Sequence, residues 1–433
     1  MALRVGVAGL GIVGARTVTL LREASAEFQR RLGVKVEVAA VCDRRVAAKA
    51  KFLKLPASVR RTTRWADLAR DPSLHVVVET IGGLGAARGL VLESLKRGKR
   101  VVTANKRLLA HHWDEVFAAS RASGASVRFE ASVAGGIPLL EAVDQSLAAN
   151  RVRRVLGILN GTTNYILSRM EREGLDLGPA LKEAQRLGLA ERDPGMDLDG
   201  TDAAHKVAVL AALLTGRGVK PESVARSGIL GIGAADIRFA KEELGRAARL
   251  LGVVEIDWNA RPHRVTAFVA PTLVPAEHPL AGVHGEYNAV MVQASAAGDL
   301  LFYGKGAGPG PAASAVAGDV FMACRGLLQG KDAPRPAPGP KPELAGIEGT
   351  RSAFYLRLEA KDRPGVLSRI TGILGRHGIS IAQIHQDRQA EGRAGVPVFI
   401  TTHPTGHGGM ARAVRSVLAL PQVSRSHTWL RML

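Results

Sequence analysis

Aromatic side chains are scarce: Phe, Trp and Tyr together make up 4% of the 433 residues. Single-stranded nucleic acid is gripped largely by stacking its bases on such rings, so that mode of binding lacks its main ingredient. Only two cysteines occur, Cys42 and Cys324, too few for a disulfide framework or a thiolate metal site and suited to a reducing compartment. The apolar runs stay well short of the roughly 18 residues that a membrane span requires. Met1-Ala-Leu-Arg4 passes straight into a strand pattern with no signal-peptide core, so a cytoplasmic location and no membrane partner are expected. Acidic residues are also in deficit, with 59 Lys and Arg against 39 Asp and Glu and a formal charge of +20. The excess is scattered in pairs (Arg30-Arg31, Arg44-Arg45, Arg60-Arg61, Arg153-Arg154) and forms no stripe, so nucleic acid is not an expected partner. Attraction for anionic metabolites, or solubility, accounts for the charge more simply.

What is present fits a soluble globular protein of two or three domains, with 46% hydrophobic and 23% charged residues. Leu3–Ala8 reads as a buried strand, followed by Gly9-Leu10-Gly11-Ile12-Val13-Gly14 and a helical pattern from Ala15 to Arg31. Strand, glycine turn and helix are the context a dinucleotide fingerprint requires. Gly9 permits the tight turn, Gly11 a close approach to the pyrophosphate, and Gly14 close helix–strand packing. The next strand, Val36–Cys42, ends at Asp43, where a carboxylate usually meets the adenosine ribose. Arg44 and Arg45 follow and suit a 2′-phosphate instead, so NAD and NADP both stay open. Thr80 and Lys106 fall at the carboxyl ends of later strands, which is where such sheets bind ligands.

Alternation of strand and helix through residue 130 predicts a doubly wound parallel sheet for residues 1–130, completed by about 304–330 through a helix at Ala312–Leu328. Residues 131–303 read as an inserted α+β domain for catalysis and dimerisation. It is assigned helices at Leu139–Ala149, Leu177–Leu187 and His205–Leu214, and strands at Val152–Ile158, Val265–Ala270 and Val290–Ala294. A proline-rich linker spans 331–350. Residues 351–433 follow the order βαββαβ of a ferredoxin-like domain. The overall class is therefore α/β.

One stretch concentrates acid in this basic chain: Glu191, Asp193, Asp197, Asp199 and Asp202 precede Lys206 and an apolar helical run. Asp202 and Lys206 stand four apart and share a helix face. A lysine ammonium so placed is a suitable proton donor. Asp202, one turn earlier, can hold Lys206 in place. Asp193 and Asp199 are read as turn-forming or solvated. No cysteine lies at a strand end among these motifs, which argues against an acyl-thioester route.

Taken together, the chain resembles homoserine dehydrogenase of the form that carries a C-terminal ACT regulatory domain. Ala184, Gly188, Asp193-Pro194, Asp197, Gly200, Asp202 and Lys206 fall at that family's signature spacings. Gly9–Gly14, Thr103-Ala-Asn-Lys106, Asn160-Gly-Thr-Thr-Asn164, Gly304-Lys-Gly-Ala-Gly308 and Asp362-Arg-Pro-Gly-Val-Leu367 also match. The resemblance implies NAD- or NADP-dependent interconversion of L-aspartate 4-semialdehyde and L-homoserine, within threonine, methionine and isoleucine biosynthesis. It further implies that Lys206 donates the proton, that Glu191 binds substrate with Asp197 and Asp202 in the same pocket, and that Lys106 lies near cofactor and substrate. A monovalent cation, Na+ or K+, would sit at Glu130, Val133, Gly135 and Ile137, and Gly308 would contact the cofactor. Pro309-Gly310-Pro311-Ala312 departs from the usual Gly-x-Pro-Thr at that last contact. The tail suggests feedback by an amino acid, threonine first, and a homo-oligomer, dimer or tetramer. Placed after a linker, it is expected to be removable beyond residue 346 without loss of activity. The rival readings are another Rossmann-fold amino-acid oxidoreductase, which lacks the Glu191–Lys206 block, and a dinucleotide or metabolite sensor, which would need a DNA-binding segment that is not evident.

Overall fold

The structure is a computed structural model that describes residues 2–330, 334–386 and 395–433. The first strand, β1 (Ala2–Ala8), is almost wholly buried, and the glycine turn leads into α1 (Ile12–Glu23) and α2 (Ser25–Leu32). The sequence reads a single helix here; Ala24, with ψ 0°, divides it in two. The chain continues through β2 (Lys35–Cys42), α3 (Val46–Phe52), β3 (Arg60–Thr62), α4 (Trp65–Arg70), β4 (Val76–Glu79), α5 (Gly85–Lys96), β5 (Arg100–Thr103), α6 (Lys106–Ser123) and β6 (Val127–Arg128). All pairings are parallel and the strand order is β3-β2-β1-β4-β5-β6. The order reverses between β1 and β4, which opens a crevice at their carboxyl ends. The apolar runs Val76–Val78 and Val101–Val102 are fully buried because helices cover both faces. The sixth strand is shorter than the sequence suggests, since Glu130–Ser132 turn into a 3-10 helix.

The next unit begins with β7 (Val152–Ile158) and continues through α7 (Gly161–Glu173), α8 (Leu177–Arg186), α9 (Gly195–Leu198), α10 (Thr201–Thr215), β8 (Ala225–Arg226) and α11 (Ala234–Glu242). It is completed by β9 (Arg246–Asp257), β10 (Arg264–Pro275), β11 (Tyr287–Ala294) and β12 (Gly298–Lys305). The strands form an antiparallel sheet, β12-β11-β7-β9-β10, with α7, α10 and α11 packed against it. The regular helix expected over Leu139–Ala149 is instead a short distorted turn with a π-helical segment at Ala142–Ser146. The buried carboxylate of Glu130 accepts from the N–H groups of Leu140 and Glu141 at 2.8 and 2.7 Å, so this turn starts on a side chain from the other unit. α12 (Pro309–Gln329) then packs on α1 and behind β4 and β5.

The tail comprises β13 (Glu343–Ala345), β14 (Arg351–Ala360), α13 (Val366–Arg376), β15 (Ile381–Gln386), β16 (Val396–Thr402), β17 (Thr405–Gly406), α14 (His407–Leu418) and β18 (Val423–Met432). Its antiparallel order, β18-β14-β16-β15, with α13 against α14, is the ferredoxin-like arrangement. The sequence pattern reads a strand over Ser380–Arg388, the last two residues of which lie outside the described residues.

The tail is not a pendant module. β18 pairs in parallel with β10 through Thr272–Arg431 and Leu273–Met432, so the catalytic and tail sheets form one continuous sheet. Inside the expected linker, β13 also joins β10. Arg335 forms an ion pair with Asp144 at 2.8 Å. The junction is closed by Asp236 on α11, which is fully buried. Its Oδ1 accepts from the Tyr355 hydroxyl and from Arg357 Nε, each at 2.7 Å, and its Oδ2 accepts from Thr428 at 3.1 Å. Phe239, one turn along α11, stacks on Phe399 of the tail with ring centres 4.3 Å apart. Removal of the tail beyond residue 346 would therefore take Tyr355, Phe399 and Leu430 out of a core they share with Ile237 and Phe239 of the catalytic unit, which argues against the tail being freely removable. Asp236→Ala removes the buried partner of Arg357 and leaves it only the longer ion pair to Glu359 at 3.6 Å; breaking a buried ion pair costs up to about 3–5 kcal/mol. A thermal melt of the full chain should show a clear fall in Tm, whereas an unchanged Tm would mean that the junction is not held this way.

Candidate active site

At the carboxyl end of β1, Gly9 adopts φ 90°, and a Cβ there would lie 2.5 Å from the Thr80 backbone. A Cβ on Gly14 would fall 1.8 Å from the Gly9 carbonyl, while a Cβ on Gly11 would meet nothing within 4 Å. Two of the glycines therefore serve backbone packing, and the middle one faces open space, as an approaching pyrophosphate requires. The Thr80 hydroxyl donates to the carbonyls of Ala8 and Gly9 at 3.0 and 2.8 Å, so Thr80 holds the turn. A cleft of about 930 Å³ opens here, lined among others by Gly11, Asp43, Arg44, Arg45, Lys49 and Ile81. Leu10 is buried, whereas Ile12 is exposed at the start of α1.

Asp43 is committed inward. Its Oδ2 accepts from Leu10 N–H at 2.9 Å and from Lys49 Nζ at 2.7 Å, and its Oδ1 accepts from Arg45 N–H at 2.9 Å. Burial raises its pKa, but these donors and the Lys49 charge outweigh burial and hold it below the ordinary aspartate range. Arg44 and Arg45 remain exposed at the rim. Lys49 was not singled out from the sequence; its place one helical turn after Arg45 was the available signal.

The acid-rich stretch resolves into a short loop, α9 and the start of α10. Asp193 and Asp199 accept from the N–H groups of Gly195 and Thr201 at 3.2 and 2.8 Å, so both close turns. Gly200, φ 83°, sets the entry to α10. That helix is buried on nearly every side from Ala203 to Leu213, so Lys206 sits in a core helix and is 8% exposed. Its Nζ lies 2.8 Å from Asp202 Oδ2 and donates to the Leu159 carbonyl at the end of β7. Lys106 Nζ, at the first turn of α6, lies 3.0 Å from Asp202 Oδ1. Burial raises the Asp202 pKa, but the charges of Lys206 and Lys106 more than reverse this, leaving it far below the usual carboxylate range.

Asn160 binds this pair to Asp197. Its Nδ2 donates to Asp197 Oδ1 at 2.7 Å and to Asp202 Oδ2 at 3.0 Å, while its Oδ1 caps α7 by accepting from Thr163 N–H. The Asn-Gly-Thr-Thr-Asn turn was evident in the sequence, but Asn160 itself was not counted among the site residues. Burial raises the Asp197 pKa, which Asn160 partly offsets and the nearby Asp202 charge reinforces. Glu191 is exposed on the loop before α9 and takes part in neither lysine ion pair.

The four positions expected to hold a cation lie where the parallel sheet meets the catalytic unit. Ala134 and Gly135 adopt consecutive positive φ values, 57° and 53°, and a Cβ on Gly135 would lie 2.4 Å from the Gly306 carbonyl. Each carboxylate oxygen of Glu130 accepts one N–H, from Leu140 and from Glu141. Val133 and Ile137 are buried beside it. Gly308, φ 107°, caps α12 at the end of the glycine-rich run.

A dinucleotide crevice beside a carboxylate shared by two lysines defines the class: a nicotinamide-dependent dehydrogenase with a small regulatory-type domain fused to its catalytic sheet. Family models agree across the chain. Homoserine dehydrogenase, NAD binding domain, matches residues 9–130, Homoserine dehydrogenase matches 138–321, and ACT domain matches 354–422. A homoserine dehydrogenase of Pseudomonas aeruginosa is 39% identical, covering 97% of this chain and 96% of its own. The crystal structure of one from Thiobacillus denitrificans superposes with a TM-score of 0.91 at 39% identity, covering 100% and 98% of the two chains. A hyperthermophilic archaeal homoserine dehydrogenase in complex with NADPH gives a TM-score of 0.63 at 26% identity, covering 75% and 98%. The chain belongs to the homoserine dehydrogenase family, oxidoreductases acting on CH–OH, in the form with a C-terminal ACT domain.

The glycine geometry yields a paired test. Gly14→Ala should lower Tm, because its Cβ meets backbone, whereas Gly11→Ala should keep Tm and weaken cofactor binding. Equal effects of the two on melting would contradict this division.

Proposed function

We propose that the protein interconverts L-homoserine and L-aspartate 4-semialdehyde, with Lys206 as the proton donor in reduction and the acceptor in oxidation. The observation that carries this reading is the buried Asp202 carboxylate held between Lys206 and Lys106, at 2.8 and 3.0 Å. When bound in the cleft lined by Gly11, Asp43, Arg44 and Arg45, a nicotinamide cofactor would supply or take up the hydride. The chain's own residues must then manage the charge that develops on the substrate oxygen. The Lys206 ammonium is held by Asp202 and the Leu159 carbonyl, which leaves its third N–H free to point at that oxygen. Lys106 adds a second positive charge and helps to polarise the same oxygen. Asp197, oriented by Asn160, takes the substrate ammonium. Glu191 reaches the ammonium from the outer loop. The raised pKa of Asp197 means that its carboxylate charge is lost on acidification earlier than that of an ordinary aspartate.

NADP is the cofactor best matched to the cleft. Asp43 is engaged by Leu10, Arg45 and Lys49, while Arg44 and Arg45 stand at the rim, where a 2′-phosphate needs cations. A monovalent cation, Na+ or K+, is assigned to Glu130 and the backbone of Val133, Gly135 and Ile137. The support is the tight turn of two positive-φ residues, Ala134 and Gly135, beside the buried Glu130. The ACT domain is read as the seat of feedback by an amino acid, threonine first, in threonine, methionine and isoleucine biosynthesis. No helix among the described residues is long and apolar enough to cross a membrane, and the protein is read as a cytoplasmic homo-oligomer, dimer or tetramer.

Lys206→Ala should reduce kcat for L-homoserine oxidation by roughly 10²–10⁴-fold, the usual contribution of a positioned acid or base, with NADPH affinity retained. A kcat near that of the unaltered chain would remove Lys206 from this role. Arg44→Glu combined with Arg45→Glu should lower kcat/KM with NADP far more than with NAD. An equal loss with both cofactors would remove the 2′-phosphate assignment.

A further inference from the structure

One carboxylate beside the cofactor cleft has no part in the chemistry above. Glu79 ends β4 and is completely buried. Its Oε1 accepts from the N–H groups of Ile81 at 2.8 Å and Gly82 at 3.0 Å, and its Oε2 accepts from the Thr103 hydroxyl at 2.5 Å. The same hydroxyl accepts from Asn105 N–H at 3.0 Å, so it ties Glu79 to the segment that leads into α6. Two backbone N–H groups and one hydroxyl thus converge on a single carboxyl group. Burial pushes the Glu79 pKa up, opposed by Thr103, Gly82 and Ile81. Such a group is costly to bury, and it persists only where the surrounding donors compensate.

The donors belong to two different strand ends. Ile81, Gly82 and Gly83 line the cofactor cleft, and Gly82 and Gly83 have φ 77° and 69°, a turn with no side chain of its own to anchor it. Thr103 and Asn105 lead directly into Lys106 at the start of α6. Asn105 adds a parallel tie, donating from Nδ2 to the Gly83 carbonyl at 2.8 Å while its Oδ1 accepts from Leu108 N–H at 3.0 Å. We infer that Glu79 is a positioning residue, whose carboxylate locks the 80–83 turn of the cofactor cleft to the Thr103–Lys106 segment and so sets the cofactor and the Lys106–Asp202 pair in register. The inference rests on reading the cleft as the cofactor site and Lys106 as part of the substrate site.

The test is Glu79→Gln in the full chain, with Lys206→Ala alongside. Glutamine keeps the size but must turn its amide toward one of the two sets of donors. NADPH affinity, read by cofactor fluorescence, should weaken, and kcat/KM for L-homoserine should fall, each by roughly tenfold or more, as small misplacements near reacting groups do. Lys206→Ala should lose turnover while keeping NADPH affinity, so a failure of the site reading shows separately from a failure of this inference. Glu79→Gln with both constants within twofold of the unaltered chain would overturn the inference, whether or not Tm falls, because a purely structural role moves only Tm. If Glu79→Gln does not fold, Thr103→Val removes the bridging hydroxyl at nearly constant shape. It should weaken NADPH binding and kcat/KM together, and leaving both unchanged would overturn the inference.

Discussion

Asp202 serves two ammonium groups at once, Lys206 at 2.8 Å and Lys106 at 3.0 Å, and much of the molecule is arranged to keep that possible. A lone buried charge is costly, and a carboxylate in this position is tolerated because two cations and the Asn160 amide surround it. The three partners come from three places: α10 itself, the start of α6 in the parallel-sheet unit, and the end of β7 in the catalytic sheet. Their meeting point is therefore also the seam between the two units. Small shifts at that seam alter the site directly, because both lysines share one anion.

The same seam logic recurs at the other end of the catalytic unit. Asp236 on α11 binds the tail through Tyr355, Arg357 and Thr428, and α11 packs against α7, whose first residues follow Asn160. β18 lies on β10, and β10 runs beneath α10. Any change of tail conformation on binding a ligand is thus met by the sheet that supports Lys206. Coupling of that kind requires a ligand that distinguishes two states, and the continuous sheet supplies the contact through which it would act.

The parallel-sheet unit was legible in the sequence because its signals are local: a glycine turn in context, strand-length apolar runs and carboxylates at strand ends. The Asp202–Lys206 pair was legible for the same reason, being four residues apart on one helix. Other features were not. β9 escaped notice because Arg249 interrupts its apolar run; this arginine is fully buried and paired with Glu171, so a core position reads as a surface one. β12 lies at the sheet edge, with most of its side chains exposed or half-buried, and its pattern is weak. The pairing of β10 with β18 joins residues some 160 positions apart and has no local signature. Asp43 was placed at the cleft, but its commitment to Leu10 and Lys49 depends on a tertiary contact that spacing does not reveal.

The central claim is that Asp202 acts through Lys206. A double-mutant cycle on kcat with Asp202→Asn and Lys206→Met tests it most directly, since groups working as one unit give strongly non-additive losses. The account predicts that the double variant loses far less than the product of the two single losses, the remainder reflecting the Asp202–Lys106 contact. Losses that multiply, each substitution costing the same in either background, would show that the two residues act independently and would contradict it.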